Sequence, residues 1–128
     1  MRVIDTDQLP EYVAPQPNPR KAKILLDEEI AGAKHAAVGL GTYEPGQTAD
    51  MHTHTGEELM FVLDGEGVIL DAANNEFPIK KGSAIYAPPG EPHALKNTGK
   101  ETLRFIFVYA PPGPEKLTKK NWEKVPPR

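Results

Sequence analysis

The stretch "GQTADMHTHTGEELMFVLDG" (residues 46–65) decides how the rest of the chain is read. It opens on a turn signal and places two of the protein's 4 histidines one residue apart. Two acids follow them, and an apolar run closes the segment. In extended backbone, residues two apart share a face about 6.6 Å apart along the chain, so His52 and His54 can converge. Glu58 has the same parity and Glu57 the opposite. A turn at Gly56 can reset strict alternation, yet parity and spacing together favour Glu58 as the inward acid and leave Glu57 to face solvent or cap a turn. A tight site on neutral nitrogens needs a third imidazole. His93 supplies it after the rigid turn "APPGEP" (87–92), whose prolines and Gly90 fix its direction. His35 has no partner residues near it in sequence and reads as a surface residue.

The totals limit what such a cluster can be. A chain of 128 residues suits one domain able to bury a core without staples. Hydrophobic residues at 38% and charged residues at 26% describe a soluble globular protein, and no apolar run approaches the roughly 20 residues a membrane helix requires. The start, "MRVIDTDQLP", has no apolar h-region and no legible signal peptide, so a cytoplasmic location is expected. With 0 cysteines there are no disulfides or thiolate sites, and His and carboxylate are the only strong side-chain ligands. A net charge of −3 with scattered basic residues makes nucleic acid and membrane surfaces unexpected partners.

The 14 prolines and 11 glycines fall between short apolar segments, which is β-fold punctuation. Residues 1–20 read as an extended, proline-interrupted arm, residues 21–112 as a barrel and residues 113–128 as a short tail. "AKILL" (22–26), "KHAAVGLGTYE" (34–44), "LMFVL" (59–63) and "TLRFIFVYA" (102–110) are strand candidates, and "DEEIAG" (27–32) is a connection. "GEGVIL" and "NEFPIKKG" flank the turn "DAANN" as a hairpin. The tail has room for one helical turn around Thr118 to Glu123. No long amphipathic helix is present, so the fold class expected is all-β, an antiparallel sandwich or barrel. "LMFVL" is apolar on both faces, which calls for cover on both, and with the proline-rich arm it suggests a homodimer.

The spacing resembles that of a known family. Gly46, five residues, His52, one, His54, three, Glu58, six, Gly65 is similar to the first cupin motif without a mismatch. Gly82, five, Pro88, one, Gly90, two, His93, three, Asn97 is similar to the second, and the 16 residues between the motifs fit small microbial cupins. With each fixed position matched by chance at roughly one in twenty, coincidence is negligible. The resemblance implies a cupin jelly roll in which His52, His54, Glu58 and His93 bind a divalent metal inside the barrel. It makes Gly46, Gly65, Gly82, Pro88, Gly90 and Asn97 structural.

Three nitrogens and one oxygen suit Fe, Mn, Zn, Ni or Co and leave up to two positions open on an octahedral ion. Beyond Glu58, alternation turns Met60 and Val62 inward and sets Phe105, Phe107 and Tyr109 against the wetter Arg104, Ile106 and Val108. The pocket is therefore expected to be apolar and to take a compact, small-molecule substrate. Catalytic candidates are Tyr43, Met60 and Tyr109. Met60 stands where the small sulfonium-propionate lyases, which the segment "HALKNTGKETLRF" resembles, carry a tyrosine base, so lyase chemistry is disfavoured. No inward arginine or lysine is assigned by alternation, and a doubly charged substrate such as oxalate is not expected. The leading function is a metal-dependent dioxygenase-type oxidoreductase. A redox-neutral isomerase or lyase on a sugar or acid, and a non-catalytic small-molecule binder, are the alternatives.

Overall fold

The computed structural model describes residues 1–128. Its strands are β1 (Glu11–Val13), β2 (Lys21–Leu26), β3 (Ala37–Tyr43), β4 (Glu57–Asp64), β5 (Glu66–Asp71), β6 (Glu76–Lys80), β7 (Ala84–Ala87), β8 (His93–Lys96), β9 (Leu103–Ala110) and β10 (Glu123–Val125). They form a seven-stranded sheet ordered β10-β1-β2-β3-β9-β4-β7 and a three-stranded sheet ordered β6-β5-β8, packed as a sandwich. All pairings are antiparallel. The all-β jelly roll is the architecture the sequence called for. No helix is long and apolar enough to cross a membrane.

Alternation decides the faces. On β4, Glu58, Met60 and Val62 are buried while Leu59 and Phe61 are exposed. On β9, Leu103, Phe105 and Phe107 are buried. The small residues of β3 have a steric purpose: Gly41 pairs with Phe105 and Gly39 with Phe107, and each ring lies over its glycine. A Cβ at Gly41 would sit 2.3 Å from the Phe105 ring, and one at Gly39 2.1 Å from that of Phe107. The hairpin around "DAANN" is present as expected, with Asp71 accepting from the backbone of Ala73 and Asn75.

Both chain ends differ from the extended arm and single helical turn expected of them. Thr6–Gln8 form a 3-10 turn, and β1 inserts between β2 and β10. At the far end, Pro114–Asn121 form an eight-residue helix, which we call α2 and which precedes β10. The sequence hides these strands because three residues are too few to show alternation, and each acquires its partner from the opposite terminus. Pro114 at the first turn of α2 and Lys119 and Lys120 in its last turn suit a helix start and the terminal dipole. Lys119 pairs with the buried carboxylate of Asp27, which also caps the short helix α1 (Glu28–Ala31) through Ile30 N at 2.8 Å. Residues read as a bare connection thus carry a helical turn that anchors α2.

Two motif residues fix turns at the ends of β4 and β8 remote from Glu58 and His93. Gly65 joins β4 to β5 at φ +87°, and a Cβ there would lie 2.6 Å from the Thr102 carbonyl, so both conformation and space require glycine. Asn97 is fully buried at 0% exposure. Its amide donates to the carbonyls of Tyr43 (2.8 Å) and Glu101 (2.9 Å), and its side-chain oxygen accepts from Gly99 N (2.9 Å). Its backbone bonds both Gly46 and Gln47, tying the second motif to the first. Asn97→Ala would orphan the buried Tyr43 carbonyl and two part-buried partners at Gly99 and Glu101, and we expect it to cost about 2–3 kcal/mol in urea unfolding. A loss under about 1 kcal/mol would contradict that role.

Candidate metal centre

The histidine segment converges by a different route from the strand parity the sequence suggested. Residues 44–56 contain no strand; His52 instead forms an isolated antiparallel bridge with His93 at the start of β8. The bridge has both bonds, His52 N to His93 O at 3.1 Å and His93 N to His52 O at 2.9 Å. Directly opposed residues of an antiparallel pair send their side chains to one face. Gly90, at φ +76°, donates its N–H to the His54 carbonyl at 2.8 Å, so the Pro-Pro-Gly turn grips the second histidine as well. Glu58 then arrives from β4, buried to 6% exposure. One potential ligand atom from each of His52, His54, Glu58 and His93 lies within 4.8 Å of all the others.

The hydrogen bonds fix how these groups face the centre. His52 Nδ1 meets the Asp50 carbonyl at 2.6 Å and His93 Nδ1 meets the Glu91 carbonyl at 3.0 Å. A carbonyl can only accept, so each Nδ1 carries a proton; His52 Nε2 is then free as a ligand atom, while His93 Nε2 is in hydrogen-bond contact with Glu58. His93 Nε2 lies 3.0 Å from Glu58 Oε1, and His54 Nε2 lies 3.2 Å from that same oxygen. The buried His54 Nε2 nevertheless makes no hydrogen bond. A carboxylate facing bare imidazole nitrogens is repelled unless a proton or a cation stands between them. Burial opposes the Glu58 charge, but the imidazoles of His54 and His93 outweigh it and hold the carboxyl down at about 2. Burial also opposes charge on His93, where Glu58 and the Glu91 carbonyl win and raise its pKa. His52 is lowered, chiefly by burial. An anionic carboxylate, tautomer-fixed imidazoles and an orphaned nitrogen directed at one point form a donor set that fits a divalent ion.

Glu58 and His52 face a cavity of about 70 Å³ that Tyr43, Phe105, Phe107 and Tyr109 also line. It is far smaller than the roughly 300–1,000 Å³ of drug-sized pockets, so only a compact ligand fits. His54 and Tyr109 border a separate cleft against Pro111–Pro114 and Leu117. Met60 faces neither; it lines the groove that reaches His93 between the two sheets. Burial raises the Tyr43 hydroxyl to about 12, partly offset by Arg20, and burial pushes Tyr109 well above its ordinary value. At neutral pH both hydroxyls are therefore proton donors. Tyr86 lies on the exposed edge strand and donates to Glu57 at 2.8 Å. His35 is exposed, away from the cluster.

The cavity is not without an inward cation, because Arg20 lines it beside His52 and Glu58. Arg20 ends the loop between β1 and β2, where no periodicity reveals its direction. The one available signal was its position just ahead of a strand that pairs with β3. Trp122, at the end of α2, and Thr118 are also cavity residues that the sequence did not single out.

Residues 39–109 match the family model for the Cupin domain. The chain is 40% identical over 85 residues to an oxalate-binding protein of Thermotoga maritima, covering 66% of this chain and 69% of that one. It therefore belongs to the cupin family. It is 38% identical over 72 residues to a gentisate 1,2-dioxygenase of a Haloferax species, covering 56% of this chain but 20% of the enzyme. Among solved structures it is similar to a predicted oxalate decarboxylase from Thermotoga maritima, with a TM-score of 0.74 and 28% identity over 87% of this chain and 100% of that one. The chain spans about half the length of other curated relatives it matches.

The raised Tyr43 has a measurable consequence. A pKa raised above the unfolded value of about 10 gives stability that is present in full below pH 10 and lost as pH climbs towards 12. Near-ultraviolet titration of Tyr43→Phe should lack one of the late-ionising tyrosinates of the wild-type protein. Identical titration curves would show that Tyr43 is not so protected.

Proposed function

We propose that the chain holds a divalent metal ion on His52, His54, Glu58 and His93 and uses it in a dioxygenase-type oxidation of a small organic molecule. The supporting observation is the converging set of three imidazoles and one carboxylate, with His54 Nε2 buried and unpartnered, at the wall of a small aromatic-lined cavity. Fe, Mn, Co, Ni and Zn all suit these donors; once bound, such an ion supplies Lewis acidity and an anchor for substrate and dioxygen. The protein's own part is to shape and dry the site. Phe105 and Phe107 exclude water, while Tyr43 and Tyr109, protonated at neutral pH, offer hydroxyl protons towards charge that develops on the ligand. Similarity to the gentisate dioxygenase supports oxidation.

A second reading is binding, or redox-neutral turnover, of a small acid. Similarity to the oxalate-binding protein and the presence of Arg20 at the cavity favour it. Elemental analysis of protein purified without added metal should find close to one divalent ion per chain, and His54→Ala should lose most of it. Oxygen-electrode assays with small phenols, diketones and sugar acids should then show uptake that depends on Glu58. A metal-replete protein that consumes no oxygen but processes or binds a small acid anaerobically would replace the first reading with the second.

We also propose a homodimer. Leu59 and Phe61 on the outer face of β4 are 40% and 47% exposed, and they pair with Val108 and Ile106 of β9 and Tyr86 and Ala84 of β7. Opposed residues share a face, so these side chains form a continuous apolar surface on a sheet that ends in the short edge strand β7. Light scattering at micromolar concentration should give a dimer mass that Leu59→Lys with Phe61→Lys halves. A wild-type monomer would contradict the proposal.

A further inference from the structure

Arg20 is a half-buried cation with no anion beside it. Its Nε donates to the Tyr43 hydroxyl at 3.1 Å and its Nη1 to the Asn18 carbonyl at 2.9 Å. The guanidinium carbon stands 4.8 Å from the ring centre of Trp122 and 5.9 Å from that of Tyr43. These contacts hold the group in place without neutralising it, and no carboxylate of the protein lies within ion-pair distance. A guanidinium has five N–H donors. Two are used, which leaves one on Nη1 and two on Nη2, enough for the two-toothed grip that arginine makes on a carboxylate.

Arg20 also shares its cavity with His52 and Glu58, so a ligand there can touch both ends. The charges agree: three imidazoles and one carboxylate around a divalent ion leave the metal end positive, and the arginine end is positive too. The volume of about 70 Å³ excludes all but a few heavy atoms. Aromatic walls offer no competing anion and make an unpaired charge costly, so the cavity suits an anion.

We propose that Arg20 selects the substrate: the ligand is a compact acid whose carboxylate is held by the Arg20 fork while a second oxygen donor reaches the metal on the His52 and Glu58 side. Short dicarboxylates and 2-oxo or 2-hydroxy acids have this chemistry. The inference rests on the metal reading above and narrows its small organic molecule to an acid. Arg20 is then a binding and specificity residue delivered by the segment between the first two strands, with Trp122 from the far end of the chain fixing its plane.

The test is calorimetric binding to the metal-loaded protein, with oxalate and its neutral diamide, oxamide, as probes of similar shape. Wild-type protein should bind oxalate and discriminate against oxamide. Arg20→Met, which keeps an apolar stem, should weaken oxalate by at least about tenfold and leave oxamide unchanged. Arg20→Lys, which keeps the charge and the stacking but not the fork, should fall between the two. Metal content and the thermal midpoint are measured on every sample. A wild-type protein that retains no metal overturns the metal reading. Metal-replete, folded protein that binds oxalate equally with or without Arg20, or that prefers oxamide, overturns this inference alone and leaves Arg20 a structural pin between the chain's two ends.

Discussion

A buried carboxylate that faces three imidazoles is the constraint around which this molecule is arranged. Glu58 remains anionic in the core because His54 and His93 stand against the same oxygen. Backbone carbonyls have already claimed the Nδ1 protons of His52 and His93. His93 Nε2 meets the Glu58 oxygen in a hydrogen bond while His54 Nε2 has none, and a proton or a cation at the centre reconciles these nitrogens with a negative oxygen. A protein that needed a polar core there for stability alone would satisfy His54 Nε2 with a hydrogen bond; here it is buried and unsatisfied.

The fold exists, in large part, to hold that arrangement still. The two-bond bridge between His52 and His93 locks one histidine against another, Gly90 ties the third through its carbonyl, and β4 brings the acid across from the other sheet. Asn97 ties the start of the loop that carries His52 and His54 to the turn that follows β8. Glycines on β3 give the rings of Phe105 and Phe107 room to lie flat against the sheet and form the cavity wall. The chain's ends close the remaining side: β1 and β10 pair with each other, which places Arg20 and Trp122 in contact beside the cavity.

The β class and the identity of the four clustered residues were legible because both are written in short-range spacing. Alternation along β4 and β9 placed Glu58, Met60, Val62, Phe105 and Phe107 inward, and they are buried. The legible part ended where position depends on distant pairing. His52 and His54 do not converge as strand neighbours; they do so because a loop bridges to β8. β1 and β10 were hidden since three-residue strands carry no period, and of α2 a single turn was anticipated. Arg20 was missed for the same reason: its direction is set by Tyr43, Asn18 and Trp122, none of which its local sequence announces. Parity put Met60 on the correct face of its strand but could not tell that the buried space there divides between a groove and the smaller cavity.

X-ray absorption at the metal edge of protein purified with its own ion tests the central claim most directly, because it reports the ligand shell without any assumption about the reaction. The account predicts a first shell of nitrogen and oxygen alone at about 2.0–2.2 Å, with the outer-shell scattering of three imidazoles. A shell with one imidazole or none, or a protein that holds no metal at all, would contradict it.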